Sequence, residues 1–589
     1  MAELSSTPLS IQSLYNWYRQ GKLIVNRRYQ RKLVWTLEEK QKLIESILKQ
    51  YPIPAVLVAE REEEKGTYEI IDGLQRIHAI MSFIEVSFTT LDGKFFNLEH
   101  FPTANTYHSQ GKFEVESNEE SELLDSVSVS TILDYPMPMS VMRNVTEEQV
   151  NDVFDRINTY GHRLSEQERR QAGVQSNFTD LVRKVACKLR GDSTDEILDL
   201  TRMPQVSIDL PLTRHGYGVS AEEVFWVRQG ILRSTDLRDS MDEQCVADIA
   251  ACIIGGSLIK RSKQALDEIY TLDSDDYANM ENCLSLYGRD KFEDEFEYCI
   301  EEIDAVSGAE KLRNTIFETK STNPFPALFA ALMIAFHEIL IVGKRKISNY
   351  EGIKNDLSNA AKRIETGRGG ASPEERRRNI NAIKGIIEPH TVPVQSLSHV
   401  YGHHTTIDIN EILRRSEIEL ANYELKQGLL TLSPKGRKED KKSVAKIINT
   451  ICAIANNGKK TGKIIIGVAD SQSDADTIAK ADNISPRLVG KKFVVGIQRE
   501  AKLLNKSIED YVAIWKARIN DSELSDSLKK DVLSNIDYHD YYGMGLIIIS
   551  VPAQPRESYV GKKVYWRNLD STEEVEDFRT HADICNRFR

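Results

Sequence analysis

No stretch of the 589-residue chain is both long and free of polar groups. The most apolar run, Phe325 to Val342, is barely long enough to cross a bilayer and contains His337 and Glu338. It reads as a buried helix at the centre of a helical domain, and no membrane partner is expected. The start of the chain, with Glu3 and no basic segment before an apolar core, does not read as a secretory signal. The seven cysteines show neither CxxC spacing nor an even framework. Most, Cys252 and Cys452 among them, lie in apolar helical patterns as small buried hydrophobes, which fits a reducing cytoplasm. No cysteine or second ligand pair stands near His399, His403 and His404, so zinc is not expected there. A Walker A sequence and internal repeats are also missing. Basic residues are outnumbered, 77 Lys and Arg against 89 Asp and Glu, for a net charge of −12. That balance excludes a protein coating nucleic acid with its whole surface, but leaves a local basic groove open.

What is present begins with ordinary globular composition, 40% hydrophobic and 28% charged. The length exceeds what one hydrophobic core sustains, so about two to four domains are expected. Residues 1–175 mix strand and helix signals. Thr36 opens a capping box with Glu39, and Leu43, Ile44, Ile47 and Leu48 mark one face of the helix that follows. Ala55 to Ala59 and Tyr68 to Ile71 read as strands, and Ile77 to Phe83 as a helix. Glu114 to Asp125 reads as a solvated polar insertion. Residues 176–395 read as a helical domain and linker, with Ala221–Leu232, Asp248–Ala265 and Phe325–Val342 as its clearest helices. Thr366–Pro373 is a loop, and Pro389–Thr406 carries no period and bridges to the last domain. Residues 396–589 return to alternating strand and helix. The expected fold class is therefore an α+β multidomain protein with an all-helical middle.

The sharpest local signal is Ile70-Ile71-Asp72-Gly73-Leu74-Gln75-Arg76-Ile77-His78-Ala79. A strand ends at Asp72, Gly73 permits a tight turn, and a helix opens near Gln75. Free N–H groups at such a helix start form an anion site, to which Arg76 adds a bidentate phosphate contact. Alone, the segment reads equally as an ordinary strand–turn–helix junction with Arg76 exposed. Two further segments bear on it, Tyr29-Gln30-Arg31-Lys32-Leu33-Val34-Trp35 and Phe154-Asp155-Arg156-Ile157-Asn158-Thr159-Tyr160-Gly161, the latter leading to Leu164-Ser165-Glu166.

In order and spacing the three segments resemble the N-terminal domain of the GmrSD modification-dependent restriction enzymes, with its YQR-x-x-x-W, DGQQR and F-x-R-x-N-x-x-G-x-x-L-S motifs. The resemblance implies a ParB/sulfiredoxin-like fold that binds, and often hydrolyses, a nucleoside triphosphate (GTP, ATP or CTP). Carried over by position, Asp72, Gly73, Gln75 and Arg76 form the phosphate site, Arg31 faces the same pocket, and Arg156 and Asn158 complete its wall. The family's first glutamine is Leu74 here. Leucine cannot position water or hold a phosphate oxygen, so binding is expected to survive better than hydrolysis. The His-Asn-His nuclease usually fused to this domain has no counterpart among the 12 histidines.

Toward the C-terminus, Glu419 to Lys426 reads as a helix end or turn running into a strand. An amphipathic helix follows, with Val444, Ile447, Ile448, Ile451, Cys452 and Ala455 on one face, and Asn456-Asn457-Gly458 supplies a left-handed stop. Ile464 to Val468 is a buried strand delivering Asp470, Leu546 to Val551 is another, and Val564 to Arg567 is a short one. The E-x4-E-x-K opening, the A-x-A-N-x-G turn, the GV-x-D strand end and the late Y-x-R strand together resemble the Schlafen AlbA-like domain over residues 414–577. Such domains bind DNA or RNA, and some relatives cleave RNA at two glutamates and an aspartate.

The positions matching those acids are Glu419, Glu424 and Asp470. Carboxylates so gathered hold Mg²⁺ or Mn²⁺, which activates water and stabilises charge on phosphorus. Lys426, two residues from Glu424 and on the same strand face, is placed to contact the scissile phosphate. The bland reading makes Glu424 and Lys426 a surface pair and Asp470 a turn acid, and many AlbA-like domains only bind. Lys435, Arg437, Lys438, Lys441 and Lys442 form a basic loop suited to a phosphate backbone or to plain solvation, and Arg567 lies on the matching late strand. These readings describe a cytoplasmic, restriction-like effector of bacterial anti-phage defence, in which a bound nucleotide controls nucleic-acid binding or metal-dependent cleavage. The alternatives are a nucleotide-gated DNA-binding regulator without nuclease activity and an RNA-cleaving toxin. DNA is the expected partner, with RNA as the alternative, and a homo-oligomeric state is left open.

Overall fold

The computed structural model describes residues 3–588 apart from 29, 31, 62–63, 118–119, 161–164, 174, 208–217, 309, 318–322, 359, 361–363, 365–371, 398–399, 401–405, 417–419, 433–436, 459–460, 540, 542 and 569–570. The chain forms two compact units, Met1–Gly402 and His403–Arg589. Among the described residues no helix is long and apolar enough to cross a membrane.

The first unit is built on a mixed six-stranded sheet. Its strands are β1 (Glu3–Ser6), β2 (Leu23–Asn26), β3 (Val56–Glu60), β4 (Tyr68–Asp72), β5 (Met139–Arg143) and β6 (Ile197–Asp199), in the order β1-β5-β3-β4-β2-β6. β3 runs parallel to β5 and β2 parallel to β4, and the other pairs are antiparallel. Neighbouring residues of one strand serve opposite faces. Val58 and Ile70 pack with α1 (Ile11–Arg19), α2 (Leu37–Leu48) and α3 (Leu74–Ile84), whereas Ala59 and Ile71 join Phe154 of α4 (Glu147–Tyr160). α2 starts as the sequence indicates, with Thr36 and Glu39 closing a reciprocal capping box.

The helical stretch after the sheet is less regular than its pattern suggests. It comprises α5 (Glu166–Gly173), α6 (Asn177–Arg190), α7 (Met241–Ile254), α8 (Arg289–Ser307), α9 (Pro326–His337) and α10 (Pro373–Ile387) among shorter pieces. The single helix expected from Asp248 to Ala265 ends at Ile254. The chain turns through Gly256, at φ +66°, and a separate helix begins at Lys263 behind the Ser262 cap. Ala221–Leu232 likewise divides, into a 3-10 turn and a four-residue helix. Nor is this part of the chain free of strands, because β6 closes the edge of the first sheet. The Phe325–Val342 run is the buried element expected as far as Ile341, and Val342 is exposed. α9 continues into one π turn, and Phe329, Met333 and Phe336 are fully enclosed.

Charge is buried between the sheet and these helices. Arg27, just beyond β2, donates from both guanidinium nitrogens to Asp192, at 3.0 and 2.7 Å. Lys32 donates to Ser240 Oγ at 2.7 Å and Glu243 Oε1 at 3.2 Å. Arg190, at the end of α6, donates to Asp242 and Glu243 of α7 and lies 3.5 Å from Asp192. Three cations thus face three carboxylates, all six residues being buried. The balance matters, because an uncompensated charge at such depth costs several kcal/mol.

The second unit carries a four-stranded sheet ordered β7-β8-β13-β12, from β7 (Tyr423–Lys426), β8 (Gly462–Ile466), β12 (Ile536–His539) and β13 (Leu546–Val551). A three-stranded sheet beside it joins β9 (Val468–Ala469), β11 (Lys492–Val494) and β10 (Arg487–Val489). Ile464, Ile466, Ile547 and Ile549 face α11 (Lys441–Ala455) and α12 (Ile508–Asn520), while Ile465 and Ile548 face Ile409 and Leu413 on the other side. The buried strand expected from Ile464 to Val468 is interrupted. Gly467 adopts φ +111°, and a Cβ there would lie 2.6 Å from Leu546 Cδ2. Only glycine tolerates both demands, and at this residue the chain leaves one sheet for the other. A hairpin of β14 (Tyr565–Asn568) and β15 (Ser571–Glu574) follows, and α13 (Phe578–Asn586) ends the described fold.

Arg190→Met should destabilise the first unit by about 3–5 kcal/mol in urea unfolding, because it leaves Asp192, Asp242 and Glu243 facing too little positive charge. Burial alone raises the Asp192 and Asp242 carboxyls, but the cations around them outweigh it and both fall below their ordinary 3.8. Their contribution is therefore complete above that pH and is lost as acid takes the solution below it. Thermal unfolding followed between pH 5 and pH 3 should show the first unit weakening at the lower end, and a flat profile would contradict this.

Candidate nucleotide and nucleic-acid sites

At the N-terminal motif the turn forms as its residues dictate. Gly73, at φ +96°, is the N-cap of α3, and no side chain caps that helix. A Cβ on Gly73 would meet Val56 Cγ2 at 2.8 Å, so close approach as well as φ requires glycine. The N–H groups of the first turn of α3 are left without a side-chain acceptor, the arrangement that receives an anion.

The side chains around this turn are already engaged. Arg76 donates to Asp72 Oδ2 at 2.7 Å and to the Pro54 carbonyl at 2.6 Å, which fixes its guanidinium beside the strand end. Gln75 is buried. Its Oε1 accepts from the Val34 and Trp35 N–H groups at 3.1 and 3.2 Å, and its Nε2 donates to the Lys32 carbonyl at 2.6 Å. Gln30 donates to the carbonyls of Ile70 and Ile71 at 2.8 and 2.7 Å. Two motif glutamines thus hold the Gln30–Trp35 segment against the DGLQR turn, a role that motif spacing did not reveal. Leu74 is buried in the main core, so the position at which the sequence departs from the family pattern points inward. Arg156 is exposed and paired with Asp152 at 2.9 Å. Arg31 and the side chain of Asn158 lie outside the described residues. Gln30 and Lys32, on either side of Arg31, line a cavity of about 30 Å³ with Arg27, Arg28, Gln171 and Arg183.

At the second candidate site, β7 pairs parallel with β8 and places Glu424 opposite Ile464 and Lys426 opposite Ile466. Glu424 accepts from Arg567 Nη1 at 2.8 Å, and Lys446 lies 3.9 Å from its other oxygen. Arg567 also donates to the Tyr423 carbonyl at 3.0 Å, and its side chain is only 1% exposed. That depth gives the expected contact between Arg567 and nucleic acid no surface to occur on, and the side chain instead ties the late hairpin to β7. Asp470 follows β9 and is held by Lys492 at 3.0 Å. Among the described residues Glu424 and Asp470 are not gathered into a three-ligand cluster, and Glu419 lies outside them. Of the basic loop, Arg437 pairs with Asp482 at 2.7 Å and is largely buried. Lys438, Lys441 and Lys442 are exposed around the start of α11, and no acidic partner is found for them, or for Lys426, among the described residues. Lys435 is outside the described residues.

Asn456 in the A-x-A-N-x-G turn is more than a helix stop. Fully buried, it donates to the carbonyls of Ser558 and Tyr565 at 2.9 and 2.8 Å and accepts from the Ser558 N–H at 2.7 Å.

Residues 11–174 match the family described as GmrSD restriction endonuclease, N-terminal domain. Residues 430–576 match the family described as Schlafen, AlbA_2. Both resemblances read from the motifs are thereby shown. The first match spans all the nucleotide-site residues named above, whereas the second spans Asp470, the lysines and Arg567 but not Glu419, Glu424 or Lys426. No curated protein matches the chain.

Substitutions at the two described acids should part company. Glu424→Ala strands the Arg567 guanidinium in the interior and should cost about 3–5 kcal/mol in denaturant unfolding of the second unit. Asp470→Ala removes an exposed pair and should change stability by less than about 1 kcal/mol. Equal stabilities for the two variants would contradict the assignment of Arg567 to Glu424.

Proposed function

We propose that the protein is a restriction-like effector of anti-phage defence in which a nucleotide bound at the N-terminus of α3 controls nucleic-acid binding by the second unit. One observation carries this reading. A single chain joins a segment matching the N-terminal domain of a restriction endonuclease to a segment matching a Schlafen AlbA domain, and the latter presents exposed lysines that have no acidic partner among the described residues. In a chain of net charge −12, such lysines mark where a phosphate backbone is received.

The nucleotide belongs at Gly73–Arg76, in a ParB-like turn. Backbone N–H groups take the phosphates, Arg76 adds charge beside them, and Asp72 offers a carboxylate to the accompanying Mg²⁺ or Mn²⁺. Which of GTP, ATP or CTP binds rests on contacts to the base, and Arg31, Arg156 and Asn158 are the residues proposed to approach the nucleotide further. The buried ionic network supports control, because Arg27 and Lys32 join the segment next to this turn to α6 and α7. Binding and its control are favoured over cleavage by the state of the acids, since Arg567 and Lys492 already neutralise Glu424 and Asp470. Metal-dependent cleavage by Glu419, Glu424 and Asp470 is the second reading. It is supported by Lys426, which shares a strand face with Glu424 and has no acidic partner among the described residues.

Fluorescence anisotropy with labelled DNA and RNA over a range of salt tests the binding reading. The triple variant Lys438→Ala, Lys441→Ala, Lys442→Ala should bind at least about tenfold more weakly, with a salt slope shallower by roughly 2–3. Arg76→Ala should weaken nucleotide binding by about ten- to a hundredfold in calorimetry, through loss of one charge-assisted contact. Nucleotide and nucleic acid should then change each other's affinity by the same factor, as linkage requires. An unchanged salt slope would remove the lysine surface from the proposal, and equal affinities with and without nucleotide would remove control.

A further inference from the structure

We infer that Glu557, His581 and Cys585 form a binding site for a zinc-class divalent metal that fastens the C-terminal helix to the body of the second unit. His581 and Cys585 are four residues apart on α13 and so share one face. Glu557 reaches the same place from the segment after β13. One ligand atom of each, an imidazole nitrogen, a thiol sulfur and a carboxylate oxygen, lies within 4.8 Å of the other two. Around a tetrahedral ion with bonds of about 2.0–2.3 Å, ligand atoms stand about 3.3–3.8 Å apart, so a small contraction seats the metal. All three residues are half-buried. No hydrogen bond or ion pair engages their side chains among the described residues, so none must be broken for a metal to enter.

Contacts beside the ligands hold both of the segments that carry them. Ser558, next to Glu557, is held through both its N–H and its carbonyl by Asn456. On α13, Ile584 is fully buried. Arg587, two residues past Cys585, donates to the Asn456 carbonyl and Asn457 Oδ1, at 3.4 Å each, and its guanidinium lies over the Trp566 ring. Preorganised ligands bind more tightly because less chain is ordered on binding.

Donor type sets the ligand class. A thiolate with an imidazole selects zinc and its neighbours over Mg²⁺ or Mn²⁺, which prefer oxygen alone. The site is therefore chemically distinct from any centre formed by Glu419, Glu424 and Asp470. Three protein ligands leave a fourth position for water. Binding converts the Cys585 thiol to thiolate and releases its proton, so affinity rises with pH.

The full-length protein, stripped with a chelator and titrated with Co²⁺, tests the site by a signal that only a cysteine ligand produces. One Co²⁺ per chain should bind with an intense thiolate-to-metal absorption band, and Zn²⁺ should abolish the band by displacement. Cys585→Ser should lose the band, His581→Ala should bind at least about tenfold more weakly, and Glu557→Gln should bind more weakly while keeping the band. Circular dichroism checks that each variant is folded, which these half-exposed positions favour. Zinc should also raise the unfolding temperature of the parent and leave that of Cys585→Ser unchanged. Absence of the band in the parent, or its persistence in Cys585→Ser, overturns the assignment.

Discussion

The first unit depends on the charge balance among Arg27, Lys32 and Arg190 and the carboxylates of Asp192, Asp242 and Glu243. Hydrophobic contacts are tolerant of direction, whereas a buried guanidinium must meet its acceptors at hydrogen-bond distance or lose the full benefit of its water shell. The network consequently fixes where α6 and α7 sit against the end of β2. The segment that follows β2 contains Gln30 and Lys32 and runs directly behind the Gly73 turn, held there by Gln75. An anion arriving at α3 would meet backbone already locked from behind, and any shift of that backbone would press on buried charges.

The second unit relies on side chains that satisfy buried backbone amides as well as on ion pairs. Buried Glu500 accepts from the Leu429 and Leu430 N–H groups and from the Tyr511 hydroxyl, so the chain leaving β7 has its amide groups satisfied. Asn456 does the same for the segment around Ser558. Each takes a polar group where no ladder is available, the condition under which a buried amide is otherwise costly. Arg567 closes the arrangement by joining the hairpin to Glu424, so one carboxylate expected to bind metal is also part of the frame. Gln75 is likewise part of the frame of the first unit, through its bonds to Lys32, Val34 and Trp35.

Features set by near neighbours along the chain were legible before any fold was known. The capping box at Thr36, the left-handed turn at Gly73, the strands around Ile70 and Ile548 and the buried character of Phe325–Val342 all follow from spacing and residue type. Both family resemblances were legible for the same reason, since each rests on short motifs in fixed order. The interruption at Gly467 was less so, because a strand pattern of consecutive apolar residues does not say where a sheet ends. Gly255–Gly256 interrupts an apolar period that otherwise continues, so the pattern alone conceals the break.

The amino-acid order by itself determined the α+β character, the location of the two motif-bearing segments and the turn that exposes helix N–H groups. Tertiary structure decided which polar side chains remain free for a ligand. Arg27 meets Asp192 across 165 residues and Glu424 meets Arg567 across 143, separations at which pairing depends on how sheets and helices stack. The same stacking buries Arg567, turns Leu74 inward, leaves Lys438, Lys441 and Lys442 in solvent and brings Glu557 to His581 and Cys585. A side chain's chemistry is written in the sequence, but its availability is a property of burial and of partners, and those are settled only when the chain has closed on itself.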